Sequence, residues 1–114
     1  MGTDLVKGQL DLLLLGVLRG GPRHGYAVIS DLRDHTEGTF DLPEGTVYPA
    51  LHRLQDVGLL ASDWEDVAGR RRRVYRLTDE GRVALAGEQQ RWRSFASAVD
   101  AVLRARPSVA GGLA

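Results

Sequence analysis

Gly45-Thr46-Val47-Tyr48-Pro49-Ala50-Leu51-His52-Arg53-Leu54-Gln55-Asp56-Val57-Gly58-Leu59-Leu60 reads as one amphipathic helix that stops at a glycine and runs into a strand. At about 100° per residue, Val47, Ala50, Leu51, Leu54 and Val57 fall on one side, the stripe of a helix that faces a core. Pro49, His52 and Asp56 lie opposite, with Thr46, Tyr48 and Arg53 on the flanks. The N-terminal half of this outward surface carries hydroxyls, an imidazole and a guanidinium with no acid among them, so it suits a phosphate backbone. Asp56 comes late, beyond the half of a recognition helix that enters a major groove. Pro43 fits the first turn, Asp41 and Glu44 favour the positive end of the helix dipole, and Gly58 ends the helix. On periodicity alone, a surface helix on any small domain is the better reading.

Working back towards the start, Leu10 to Leu18 is the most apolar run of the chain. It is far short of the ~20 residues that a bilayer requires and contains Asp11, so it reads as a buried helix and not a membrane span. Asp4 in the would-be charged region argues against a signal peptide. Gly20-Gly21-Pro22 closes this helix. A second helix follows from about Gly25 to Asp34, with Tyr26, Val28, Ile29 and Leu32 expected to pack inward. His35 to Phe40 reads as its polar connection to the Gly45 helix.

On the other side of the Gly45 helix, Leu60 to Glu65 and Arg72 to Leu77 are β-prone runs joined by a glycine-containing loop, Asp66 to Arg71. Arg70, Arg71, Arg72, Arg73 and Arg76 make a basic ridge on a chain whose formal net charge is zero. The ridge is read in two ways, as a solvated face or as a wing that meets phosphates or a minor groove, with Arg70 and Arg71 nearest its tip. Asp63, Glu65 and Asp66 stand where they can pair with some of these cations. Thr78 caps a last helix with Asp79 and Glu80 in its first turn, and this helix is expected to run to about Arg106. Trp92, Phe95, Ala96, Val99, Val102 and Leu103 recur along one side, more apolar surface than a small domain covers. A homodimer is therefore expected, with Phe95, Ala96, Val99, Val102 and Leu103 at the interface and the first helix assisting.

His24-Gly25-Tyr26, Gly45 to Leu51, Arg53-Leu54, Gly58 to Leu60, Trp64-Glu65, Arg70 to Thr78 and Gly81 fall in one order. In that order and spacing, over about residues 5 to 103, the chain resembles the PadR family of bacterial transcriptional regulators. Val47 stands where leucine is commoner and Gln55 where glutamate is commoner; neither change touches the fold. The resemblance implies a mainly α protein with a small β-hairpin wing, a winged helix-turn-helix. The chain is expected to divide into a DNA-binding domain over 1–77, a dimerisation helix over 78–106 and, from its low order-making content, a disordered tail over 107–114. The resemblance also implies double-stranded DNA as the partner and a dimeric repressor on an inverted repeat. The expected DNA-binding residues are Lys7, His24, Tyr26, Thr46, Tyr48, Pro49, His52, Arg53, Arg70, Arg71 and Arg72. Packing in the core or capping a turn is an equal account of Tyr26 and His24, and Lys7 also fits a solvated lysine. Family members often answer to small planar molecules, which makes Trp92 a candidate effector site; the alternative is that two copies of Trp92 pack as interface core.

A chain of 114 residues with 43% hydrophobic and 26% charged residues suits one small domain and leaves no room for a second. The absence of cysteine excludes a disulfide framework, a thiolate nucleophile and a zinc finger, and makes the cytoplasm the default compartment. His24, His35 and His52 are scattered, and no metalloprotease, serine-hydrolase or phosphate-loop motif appears, so catalysis, a metal and a cofactor are not expected. A winged helix that binds only another protein is the alternative, since fold does not dictate function.

Overall fold

The computed structural model describes residues 9–106, so Lys7 and the expected tail over 107–114 lie outside it. Helix α1 spans Leu10–Leu18 and buries Leu10, Leu14, Leu15 and Leu18. Each fully buried leucine contributes about 1.5–3 kcal/mol. After the turn at Gly20–Gly21, where Gly21 adopts φ 130°, Arg23–His24 form a two-residue strand β1. The sequence reading missed this strand, because two residues carry no periodicity. Arg23 forms an ion pair with Asp31 at 3.0 Å.

Helix α2 spans Gly25–His35 and buries Gly25, Val28, Ile29 and Leu32. Tyr26 does not join them. It is 56% exposed, which corrects the expectation that it packs inward. Of the two helix tyrosines the inward one is Tyr48, half-buried against the core, whose ring fills the space beside Gly25 so closely that a Cβ there would overlap it. Gly38, at φ 84°, closes α2 by donating its N–H to the Arg33 carbonyl at 2.8 Å.

Helix α3 spans Glu44–Asp56 with Pro43 as its N-cap and Val47, Ala50, Leu51 and Leu54 buried. Val57 falls outside the helix and is 63% exposed, so the core stripe ends at Leu54. Strands β2, Leu60–Val67, and β3, Arg70–Leu77, pair antiparallel, and the sheet order is β1-β3-β2. The hairpin is longer than expected. Its loop is not the six residues Asp66 to Arg71 but the two residues Ala68 and Gly69, at φ 52° and 77°, and Asp66 pairs with Arg71 inside the ladder. Two positive φ values in a two-residue loop match the right-handed twist of the strands.

Helix α4 spans Asp79–Arg104. Thr78 caps it as expected: its Oγ1 accepts the Gly81 N–H at 3.0 Å and donates to the Gly58 carbonyl at 2.7 Å. The first part of α4 packs on α1 through Leu85 and Ala84. Its second half extends beyond the core, which stretches the molecule to 72 × 28 × 20 Å. The result is a winged helix-turn-helix, α2 and α3 followed by the β2–β3 wing, with a long helix attached.

Candidate nucleic-acid interface

The outward side of α3 is built as the helical spacing requires, with Pro49 and His52 exposed and Thr46 half-buried. Pro49 lies inside the helix and has no N–H, so the Gly45 carbonyl lacks its intrahelical donor. The His52 ring lies 6.4 Å from that of Tyr75 on β3, tilted by 42°. Two of the expected contact residues behave differently. Tyr48 is turned against Gly25, and burial followed by the Glu44 carboxylate pushes its phenol up from the ordinary value. Arg53 is held by Asp11 of α1 through two hydrogen bonds, Nη2 to Oδ1 at 2.5 Å and Nη1 to Oδ2 at 3.3 Å. That bond raises the guanidinium pKa. The outward surface of α3 is therefore not free of acid; the fold supplies Asp11 from 42 residues away.

His24 occupies the N-cap position of α2 by its extended backbone and makes no side-chain cap, so the capping account of this residue does not hold. It pairs with Val74 of β3. Burial and then the neighbouring Arg72 hold its pKa below the usual histidine value, while Glu65 and Asp31 oppose them. Tyr26, exposed one residue into α2, stands at a helix N-terminus, where free backbone N–H groups favour an anion.

Strand alternation sorts the wing into two faces. Leu60, Ser62, Trp64 and Asp66 oppose Leu77, Tyr75, Arg73 and Arg71. This face turns towards α3, because Ser62 Oγ donates to Gln55 Oε1 at 2.7 Å and Leu60, Tyr75 and Leu77 are buried in the core. Its outer part carries Trp64, 55% exposed, with the guanidinium carbons of Arg71 and Arg73 at 4.6 and 4.7 Å from the indole centroid. On the other face Arg72 pairs with Glu65 at 3.3 Å and Arg76 with Asp63 at 3.6 Å. Arg71 reaches Asp66 only at 3.9 Å, and Arg70 and Arg73 make no ion pair among the described residues. The pairing of Asp63, Glu65 and Asp66 with wing arginines is as expected. Arg73 was expected only as part of the basic ridge and Trp64 only as part of the Trp64-Glu65 motif, neither as a site residue, although their opposition follows once the two-residue turn is known.

Along α4, Trp92, Phe95, Val99, Val102 and Leu103 are exposed and Ala96 is half-buried, leaving one apolar face open. The Trp92 and Phe95 rings lie 6.1 Å apart. With Gln9, Leu12, Glu88 and Arg91 they line a cavity of about 340 Å³ between α1 and α4. Among the described residues no helix is long and apolar enough to cross a membrane.

Residues 14–87 match the model of the Transcriptional regulator PadR-like family. The chain is 41% identical over 76 residues to the transcriptional regulator Rv3488 of Mycobacterium tuberculosis, covering 67% of this chain and 68% of that protein. The crystal structure of a PadR family transcriptional regulator from Eggerthella lenta superimposes with a TM-score of 0.79 at 35% identity, covering 90% of this chain and 88% of the other. A PadR-like transcriptional regulator from Bacillus cereus gives a TM-score of 0.79 at 26% identity over 91% of this chain and all of its own. The family and these relatives are transcriptional regulators and not enzymes, and with the family match covering most of the winged helix, the chain belongs to the PadR-like family of transcriptional regulators.

Proposed function

We propose that the chain is a cytoplasmic repressor that binds an inverted repeat in double-stranded DNA as a homodimer and acts by competing for promoter DNA. The observation that carries this reading is that the wing face turned towards α3 carries Arg71 and Arg73 over Trp64, on the same fold that leaves Pro49 and His52 of α3 exposed. In this reading Thr46, Pro49 and His52 enter the major groove and Arg70, Arg71 and Arg72 grip the flanking backbone. His24 and Tyr26 approach a phosphate at the N-terminus of α2. Tyr48 supports α3 from behind, and Arg53 reaches DNA only by leaving or sharing Asp11.

The apolar face of α4 supports the homodimer: Phe95, Ala96, Val99, Val102 and Leu103 would meet their copies across a two-fold axis, with α1 alongside. Selection of bound duplexes from a random pool tests class and symmetry together. An inverted repeat is expected; a single half-site would overturn the two-fold symmetry, and no enrichment favours a module that binds protein only. A second reading, a small planar effector stacked on Trp92, is supported by the cavity that Trp92 and Phe95 line. Loss of ligand-induced DNA release in Trp92→Ala, with the dimer intact, supports it; dissociation of that variant instead makes Trp92 interface core.

A further inference from the structure

Trp64 does no work in the core. It is 55% exposed, lies in the outer half of β2 and is absent from the buried cluster that holds Leu60, Tyr75 and Leu77 together. What it touches is cationic: the guanidinium carbons of Arg71 and Arg73 both lie over its ring, at 4.6 and 4.7 Å from the centroid. The register makes this a consequence of the hairpin, since Trp64 opposes Arg73 directly and Asp66, on the same face, opposes Arg71. A directly opposed pair and a diagonal pair are the two geometries in which cross-strand side chains meet. The carboxylates divide the same way. Glu65 and Asp63 hold Arg72 and Arg76 on the far face, whereas Arg71 has only Asp66 at 3.9 Å and Arg73 has no carboxylate partner among the described residues.

An arginine on a solvated strand samples many rotamers, and binding a phosphate freezes them. A ring that holds the guanidinium plane beforehand removes part of that cost and leaves the N–H fork free for an anion. We propose that Trp64 is a positioning residue, whose indole holds Arg71 and Arg73 as an ordered pair on the α3 side of the wing, where the two guanidiniums take neighbouring DNA phosphates. This rests on the reading of the chain as a DNA-binding protein, and it makes Arg73 a contact residue alongside Arg70, Arg71 and Arg72.

The test uses the full chain in two arms. In the first, without DNA, the arginine side-chain protons are followed by NMR. Ring-current upfield shifts at Arg71 and Arg73 are expected in the wild type, retained in Trp64→Tyr and lost in Trp64→Leu; shifts absent from the wild type would overturn the proposal. In the second, affinity for a selected duplex is measured. Trp64→Leu should weaken binding about three- to tenfold, as two surface cation–π contacts allow, and Trp64→Tyr should restore most of it. In a background of Arg71→Gln with Arg73→Gln, Trp64→Leu should have no further effect. An equal loss in that background would mean that the indole touches DNA itself and would overturn the positioning role. If the wild type binds no duplex, the assigned purpose of the pair is overturned, and intact ring-current shifts would place the fault in the DNA reading.

Discussion

Substituting Gly81 by alanine tests the junction that orients α4. Gly81 is buried three residues past the Thr78 cap, and a Cβ placed there would overlap the carbonyl oxygen of Leu59, with the Leu59 carbonyl carbon at 3.1 Å and Leu77 Cδ2 at 3.2 Å. The obstacle is backbone, so no rotamer change relieves it; α4 must move away from the Leu59 segment by roughly an ångström, a strain costing about 1–3 kcal/mol. That movement stretches the Thr78 N–H to Leu59 carbonyl bond of 3.1 Å and the Gly81 to Thr78 cap bond of 3.0 Å. Weakening this capping adds about 1 kcal/mol. The intrinsic preference of a helix for alanine over glycine returns about 0.5–1 kcal/mol. A net loss of about 2 kcal/mol should lower the melting temperature by roughly 10 °C. Gly87→Ala is the control within the same helix, because its Cβ would meet only the flexible end of Arg91 at 3.7 Å. It should gain up to ~1 kcal/mol. Thermal and urea unfolding at equal protein concentration measure both. A Gly81→Ala protein as stable as Gly87→Ala would refute the packing of α4 against Leu59.

Three other substitutions probe the wing, α3 and α2. Ala68→Asn should stabilise the protein by a few tenths to about 1 kcal/mol in urea unfolding, because Ala68 sits at φ 52°, where asparagine is better tolerated. Asp11→Asn should free Arg53 from its partner at 2.5 Å, raise affinity for random-sequence duplex and steepen its salt dependence. Its cost in stability should stay within about 1 kcal/mol, since the pair is exposed. His24, whose pKa is lowered first by burial and then by Arg72, binds its proton less readily folded than unfolded. Stability should therefore fall as pH drops below the ordinary histidine value and be regained as it rises. His24→Gln should remove that part of the pH profile.

The elements written in periodicity were legible. The α3 stripe from Val47 to Leu54, the apolar α1 and the Thr78 cap each rest on local chemistry within one or two turns. What was missed depends on partners distant in sequence. Helical spacing cannot say which of Tyr26 and Tyr48 turns inward; the answer lies in the gap that Gly25 leaves for the Tyr48 ring. The Arg53–Asp11 pair spans 42 residues and exists only once α1 crosses α3. The hairpin was drawn too short because Asp66, Arg70 and Arg71 are polar and look like loop, whereas the cross-strand ladder and the Asp66–Arg71 pair carry them as strand. That error left Arg71 in the loop and hid the face it shares with Trp64 and Arg73.

In the proposed complex α3 reads bases while the wing holds the backbone. Fluorescence anisotropy of the selected duplex and a scrambled one, over a salt series, tests this division with His52→Ala and Arg71→Ala. His52→Ala should lose about 1–3 kcal/mol on the selected duplex and little on the scrambled one. Arg71→Ala should weaken both alike and lower the salt slope by about one. Equal losses on the two duplexes for His52→Ala would contradict the assignment of α3 as the reading helix.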